Sequence, residues 1–293
     1  MSSTVPSTPD PADPSPAALT GLSAEIDRLD DAIHDLLMAR AEAVTRLRAG
    51  DGNGPVVLRP GGEADMLRRL LDRHHGDLPR RAVVRVWREL LAAITAMQGP
   101  YAITACEAEP GNGYVQCARE HFGALSPLRV HRTPAQAIGE VSAGTATAAV
   151  LPLPTEEETS PWWTSLLQRA GSRLHVVALL PFWAPRPEGA PHVQALVVAA
   201  LPPDPSSRDH SLITLELPPE QSRARLSTAL AAAGFEPGRM LLRRDPGLPV
   251  AQALVDVNGF VTDGDPRLAA LSDALRPPVV LGAYALPVEE DNT

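Results

Sequence analysis

Leu22, Ile26, Leu29, Ile33, Leu36, Arg40, Ala43 and Leu47 follow one another at alternating steps of four and three. That spacing keeps all eight on one face and predicts a single long helix, about Leu22 to Arg48. Arg40 interrupts an otherwise apolar seam. An uncompensated buried charge is expensive, so Arg40 should meet a carboxylate or an anionic ligand. Snorkelling to water, or pairing with Glu63, would also satisfy it.

The helices that follow are shorter. Asp51-Gly52-Asn53-Gly54-Pro55 ends the first. A second is expected over about Gly62–His74, with Met66, Leu67, Leu70 and Leu71 inward. A third should cover about Pro79–Met97, with Val83, Trp87, Leu90, Leu91 and Ile94 inward. Three helices in nearly 80 residues cannot bury the long seam, so a partner chain and a homodimer are expected.

After Pro100 the pattern alternates strands with helices, an α/β layer of one lobe. The final segment reads βαββαβ, the order of a ferredoxin-like fold. The expected organisation is a tail over 1–19, a helical domain over 20–99, an α/β lobe over 100–201, a linker over 202–210, a βαββαβ domain over 211–288 and a tail over 289–293. Helices are expected at Trp163–Ala170 and Pro266–Leu275.

Composition narrows the chemistry. All 26 basic residues are Arg, which rules out lysine Schiff bases, a lysine-anchored pyridoxal cofactor and a phosphate-loop lysine. A net charge of −9 argues against nucleic-acid binding, although a local Arg cluster can still hold a small anion. Cys106 and Cys117 form no metal-ligand pattern and point to a reducing compartment. No run of 18 apolar residues suggests a membrane span, and no secretory signal is legible. A cytoplasmic protein without cofactor or metal is expected. His74-His75 reads as a helix end, Trp162-Trp163 as packing, and Glu156-Glu157-Glu158 as a solvated charge run.

The stretches LSAEIDRLDDAIHDLLMARAEAV, LRPGGEADMLRRL and VWRELLAAITAMQGP resemble the all-helical chorismate mutases. The α/β lobe and ALVDVNGFVTDGDPRLAALSDAL followed by VVLGAY resemble the dehydratase lobe and the small amino-acid-binding (ACT-like) domain, in that order. The whole is similar to a shortened bifunctional chorismate mutase–prephenate dehydratase. The resemblance implies that Arg40 grips a substrate carboxylate, Glu63 binds the substrate hydroxyl and Gln98 bonds the ether oxygen. It implies rearrangement of chorismate to prephenate in aromatic amino-acid synthesis, the alternative being a non-catalytic dimeric binding or regulatory protein.

Three cations of the family are absent. The arginine near the start of helix one is Ser23, expected instead to cap the helix. The lysine near its end falls around Asp51, and the arginine before the helix-two glutamate is Gly62. Arg48 and Arg59 are the nearest replacements for substrate binding. The dehydratase's Thr-Arg-Phe motif is missing, and its acidic motif appears as Pro154-Thr155-Glu156, so that region is expected to be inactive. The phenylalanine-binding motifs are replaced around Ala224-Arg225-Leu226 and Leu242-Arg243-Arg244, which argues against feedback by phenylalanine.

Overall fold

A computed structural model describes residues 16–51, 58–109, 111, 113–158, 160–167, 172–245, 247, 249–271 and 274–289. The chain divides into two compact units, Met1–Gly54 and Pro55–Thr293. Most of the expected N-terminal tail lies outside the described residues, as does the tail after Glu289.

The described part of the first unit is one helix, α1 (Pro16–Asp51), of 36 residues and about 54 Å at ~1.5 Å per residue. It starts earlier than the seam requires because Ala17, Ala18 and Leu19 are strong helix formers. Ser23 therefore sits inside the helix, correcting its reading as a cap. Leu22, Ile26, Leu29, Ile33, Leu36 and Leu47 are each more than half exposed.

The second unit opens with α2 (Pro60–Asp72) and α3 (Arg80–Ala96). A lobe follows: β1 (Ile103–Cys106), α4 (Tyr114–Phe122), β2 (Leu128–His131), α5 (Pro134–Ser142), β3 (Ala148–Pro152), a 3-10 turn (Trp162–Leu167), β4 (His175–Leu180), β5 (Trp183–Ala184) and β6 (Ala195–Ala199). The last segment carries β7 (Asp209–Leu217), α6 (Arg223–Ala232), β8 (Pro237–Arg244), β9 (Ala251–Asn258), α7 (Pro266–Ala269), β10 (Val279–Ala285) and β11 (Val288–Glu289).

Lobe and last segment share one nine-stranded sheet, ordered β2-β1-β3-β6-β4-β10-β7-β9-β8. β1 pairs parallel with β2 and β3, and β10 parallel with β4; the other pairs of this sheet are antiparallel, and β5 and β11 form a separate parallel pair. The apolar runs of β3 and β6 are buried along nearly their whole length, as central strands covered on both faces must be.

The two halves of the sheet meet at Gly282, which registers with Val176. Its φ is +145°, and a Cβ there would lie 2.0 Å from the Val176 carbonyl oxygen. Only glycine lets the strands approach so closely. Gly282→Ala should cost about 2 kcal/mol, from backbone strain and overpacking, read from the urea midpoint at unchanged m-value.

Two expected helices differ from their patterns: the first is a 3-10 turn where it is described, residues 168–170 lying outside the described residues, and the second is shorter. At Trp162–Leu167 the hydroxyls of Thr164 and Ser165 donate to carbonyls three residues back, at Pro161 and Trp162, and the turn stays 3-10. α7 is a single turn that Asp265 starts by accepting from the Arg267 N–H. Trp162 and Trp163 are core residues, 5% and 2% exposed.

The segment expected to be a linker is strapped down. The Asp204 carboxylate accepts from the Gly61 and Gly62 N–H groups at 3.0 and 2.8 Å, capping α2 from 143 residues away along the chain. Ser207 donates from its N–H and hydroxyl to Asp65. The Pro- and Ser-rich composition that reads as a linker is here a set of caps.

Candidate active site

The candidate residues fall in both units. Arg40 and Arg48 are on α1, both partly exposed. Arg59 immediately precedes α2, Glu63 lies in its first turn, and Gln98 follows the end of α3. Within the second unit, Glu63 and Gln98 come from facing helices, each half-buried.

α2 is set by its N-terminus. Pro60 occupies the first turn, where its missing N–H costs nothing, and the next two amides point at Asp204. A Cβ on Gly61 would lie 2.3 Å from the Asp204 backbone oxygen, so this close approach needs glycine. Arg59 Nε is 4.0 Å from Asp204, with the Arg59 side chain 69% exposed. Gly61 and Gly62 thus both belong to the capping arrangement.

Glu63 accepts from Arg88 on α3 at 2.8 Å, and Arg88 is only 3% exposed. Burial pushes the Arg88 pKa down while the Glu63 carboxylate pulls it up. Tyr101, beside them, is pushed well above the usual phenol range by burial and then by Glu63. His121 is held well below the usual imidazole range by burial and by Arg88, so its ring is neutral.

Arg88, the buried partner of Glu63, is not among the residues that the sequence singles out. The inward face expected for α3 was Val83, Trp87, Leu90, Leu91 and Ile94. The buried face is instead Val84, Arg88, Leu91, Ala92, Ile94 and Thr95, rotated by about one residue. Val84, Arg88, Leu91 and Thr95 recur at steps of four, three and four, the same signal that singles out Arg40.

Glu63 borders a cavity of about 20 Å³, shared with Leu91, Thr95, Tyr101 and His121. That is room for one water molecule, not for a ring-bearing substrate. Gln98 does not line it. The Gln98 N–H donates to Thr95 O in the last turn.

The Pro154–Glu158 segment is also engaged structurally. Glu156 bonds the Arg223 guanidinium and accepts from the Leu242 N–H at 3.1 Å, and Glu158 accepts from the Thr155 N–H at 2.8 Å. Two of the three glutamates expected to form a solvated run therefore anchor backbone and side chains. Burial pushes the buried Cys106 and Cys117 thiols up to about 11. No described helix is long and apolar enough to cross a membrane.

Residues 22–99 match the family model described as chorismate mutase type II. The bifunctional chorismate mutase/prephenate dehydratase of Pseudomonas aeruginosa is 31% identical over 150 residues, covering 48% of this chain and 40% of the relative. The enzyme of the same name from Neisseria gonorrhoeae is 36% identical over 98 residues, covering 33% of this chain and 26% of the relative. This chain thus matches less than half the length of these relatives. Among solved structures, prephenate dehydratase from Streptococcus mutans aligns with 65% of this chain and 100% of its own, at 15% identity and a TM-score of 0.45. Residues 22–99 are thus similar to chorismate mutases of type II, in a chain that resembles the bifunctional chorismate mutase/prephenate dehydratases over part of their length.

Proposed function

We propose that this chain is a cytoplasmic chorismate mutase that rearranges chorismate to prephenate in aromatic amino-acid synthesis. The observation that carries the reading is the family match over 22–99, which takes in Arg40, Glu63 and Gln98. The rearrangement is intramolecular and needs no nucleophile and no cofactor. It needs the substrate held compact and negative charge stabilised on the breaking ether oxygen. In this reading Arg40 holds a substrate carboxylate, Glu63 the hydroxyl and Gln98 the ether oxygen. Arg48 and Arg59 supply the charge of the missing family cations. Purified full-length chain should form prephenate from chorismate faster than buffer does; equal rates with and without protein would reject the reading.

The working unit is proposed to be a homodimer. The exposed apolar seam of α1 supports this, because a second copy would cover it with an identical seam. Sedimentation equilibrium should give a mass of two chains at micromolar protein, and a single-chain mass would contradict it.

The rest of the chain is proposed to be a scaffold, an inactive dehydratase-like lobe followed by an ACT-like, ferredoxin-like βαββαβ domain. The antiparallel order β10-β7-β9-β8 supports that fold, and the engagement of Glu156 by Arg223 and Leu242 supports the inactivity. Loss of water and carbon dioxide from prephenate calls for a positioned proton donor in a closed site. Incubation with prephenate at neutral pH should give phenylpyruvate only at the buffer rate. Faster formation that deletion of residues 101–200 abolishes would overturn this.

A second reading, a non-catalytic dimeric binding or regulatory protein, has one observation in its favour. Glu63 is committed to Arg88 beside a cavity of about 20 Å³. It gains if chorismate is bound but not converted.

A further inference from the structure

We propose that a pocket between α3, α4 and the Pro181–Pro187 segment binds a small ring-bearing carboxylate. The pocket has a volume of about 240 Å³. Arg88 lines it and Glu63 does not, while His121 borders both this pocket and the small Glu63 cavity.

Its charge is the first reason. Four arginines line it: Arg81, Arg85 and Arg88 from α3, and Arg186 from the loop. Arg88 is held by Glu63, and Arg186 by Glu120 at 2.8 Å. Arg81 and Arg85 stand one helical turn apart and exposed. Among the described residues no carboxylate comes within ion-pair distance of either. Two guanidinium forks are therefore surplus at the pocket of a chain whose net charge is −9. A local cluster dominates the field within about one Debye length, ~10 Å.

The second reason is independent of charge. The Arg88 Nε and the His121 Nδ1 are buried with no hydrogen-bond partner among the described residues. Buried polar atoms are seldom left unsatisfied, and each costs free energy until a partner arrives. Two such residues on one pocket mark it as built for a polar ligand. His121 is neutral, so its ring can donate or accept according to tautomer.

The walls define the rest of the ligand. Val84, Phe182 and Trp183 are 6–7% exposed and give the pocket an apolar side. Arg88 lies over the Phe182 ring at 4.8 Å, which keeps the guanidinium plane fixed. An apolar wall with a few convergent polar groups is the pattern of small-molecule sites. A volume below the ~300 Å³ of drug-sized pockets limits the ligand to about one ring. The arginine forks select a planar carboxylate.

The test is calorimetric titration of the full-length chain with 4-hydroxybenzoate, 4-hydroxybenzamide and inorganic phosphate. The benzoate should bind, with the amide and phosphate each at least about tenfold weaker, since a charge-assisted fork and the ring both contribute. The double variant Arg81→Ala/Arg85→Ala should weaken benzoate binding about tenfold or more. Both side chains are exposed, so the fold is not at stake. Arg40→Ala should bind benzoate as wild type does, which separates this pocket from the proposed mutase site. The proposal fails if wild type binds no benzoate, if the double variant binds it unchanged, or if amide or phosphate binds equally well. It also fails if Arg40→Ala abolishes the binding.

Discussion

Glu63→Ala should destabilise the second unit by about 3–5 kcal/mol, measured by urea unfolding. The Arg88 guanidinium is 3% exposed, and its ion pair in the fold is Glu63 at 2.8 Å. Arginine keeps its proton at any accessible pH, so it cannot escape by neutralising. Its Nε already has no hydrogen-bond partner among the described residues, so the lost carboxylate leaves a buried cation still less satisfied. Glu63→Gln retains an acceptor oxygen and should cost clearly less. Glu63→Leu combined with Arg88→Met should recover most of the loss, because apolar residues of similar volume replace a buried pair at little net cost. A loss near zero in Glu63→Ala would mean that Arg88 finds another anion or reaches water. This also decides how the proposed catalytic role of Glu63 is to be tested. Lost turnover in Glu63→Ala mixes stability with chemistry, whereas Glu63→Gln separates them.

Arg40→Ala should lower kcat/KM for chorismate by ~10²–10³, the usual cost of removing one well-placed electrostatic group. α1 itself should remain helical. Alanine is the best helix former, and removing a charge from an apolar seam does not weaken the seam. The far-ultraviolet dichroism of wild type and variant should therefore coincide while turnover falls. A variant that loses helix content together with activity would instead make Arg40 a structural residue.

The first three helices and most strands were legible because their periodicities are strong. The seam of α1 is readable over eight positions, and the βαββαβ segment alternates cleanly between turn signals. The phase of α3 was less readable. Both Val83-Trp87-Leu90 and Val84-Arg88-Leu91 recur at helical spacing, and apolarity favours the first set. The buried set is the second, because Glu63 on α2 gives Arg88 a partner that no local pattern shows. The same limit hid Asp204. A Pro-rich stretch reads as a linker until its carboxylate meets two amides 143 and 142 residues earlier in the chain. Gly282 carried no sequence signal for joining two sheets; that role comes from its contact with Val176. The helix positions of Arg40, Glu63 and Gln98 were readable, but the commitment of Glu63 to Arg88 was not.

The central claim, mutase chemistry on the helical segment, is tested most directly by the initial rate of prephenate formation from chorismate. Wild type and Arg40→Ala should be purified identically from a host lacking its own chorismate mutase. The expected result is saturable turnover by wild type, reduced ~10²–10³ in the variant. Two preparations that both match the uncatalysed rate would contradict it.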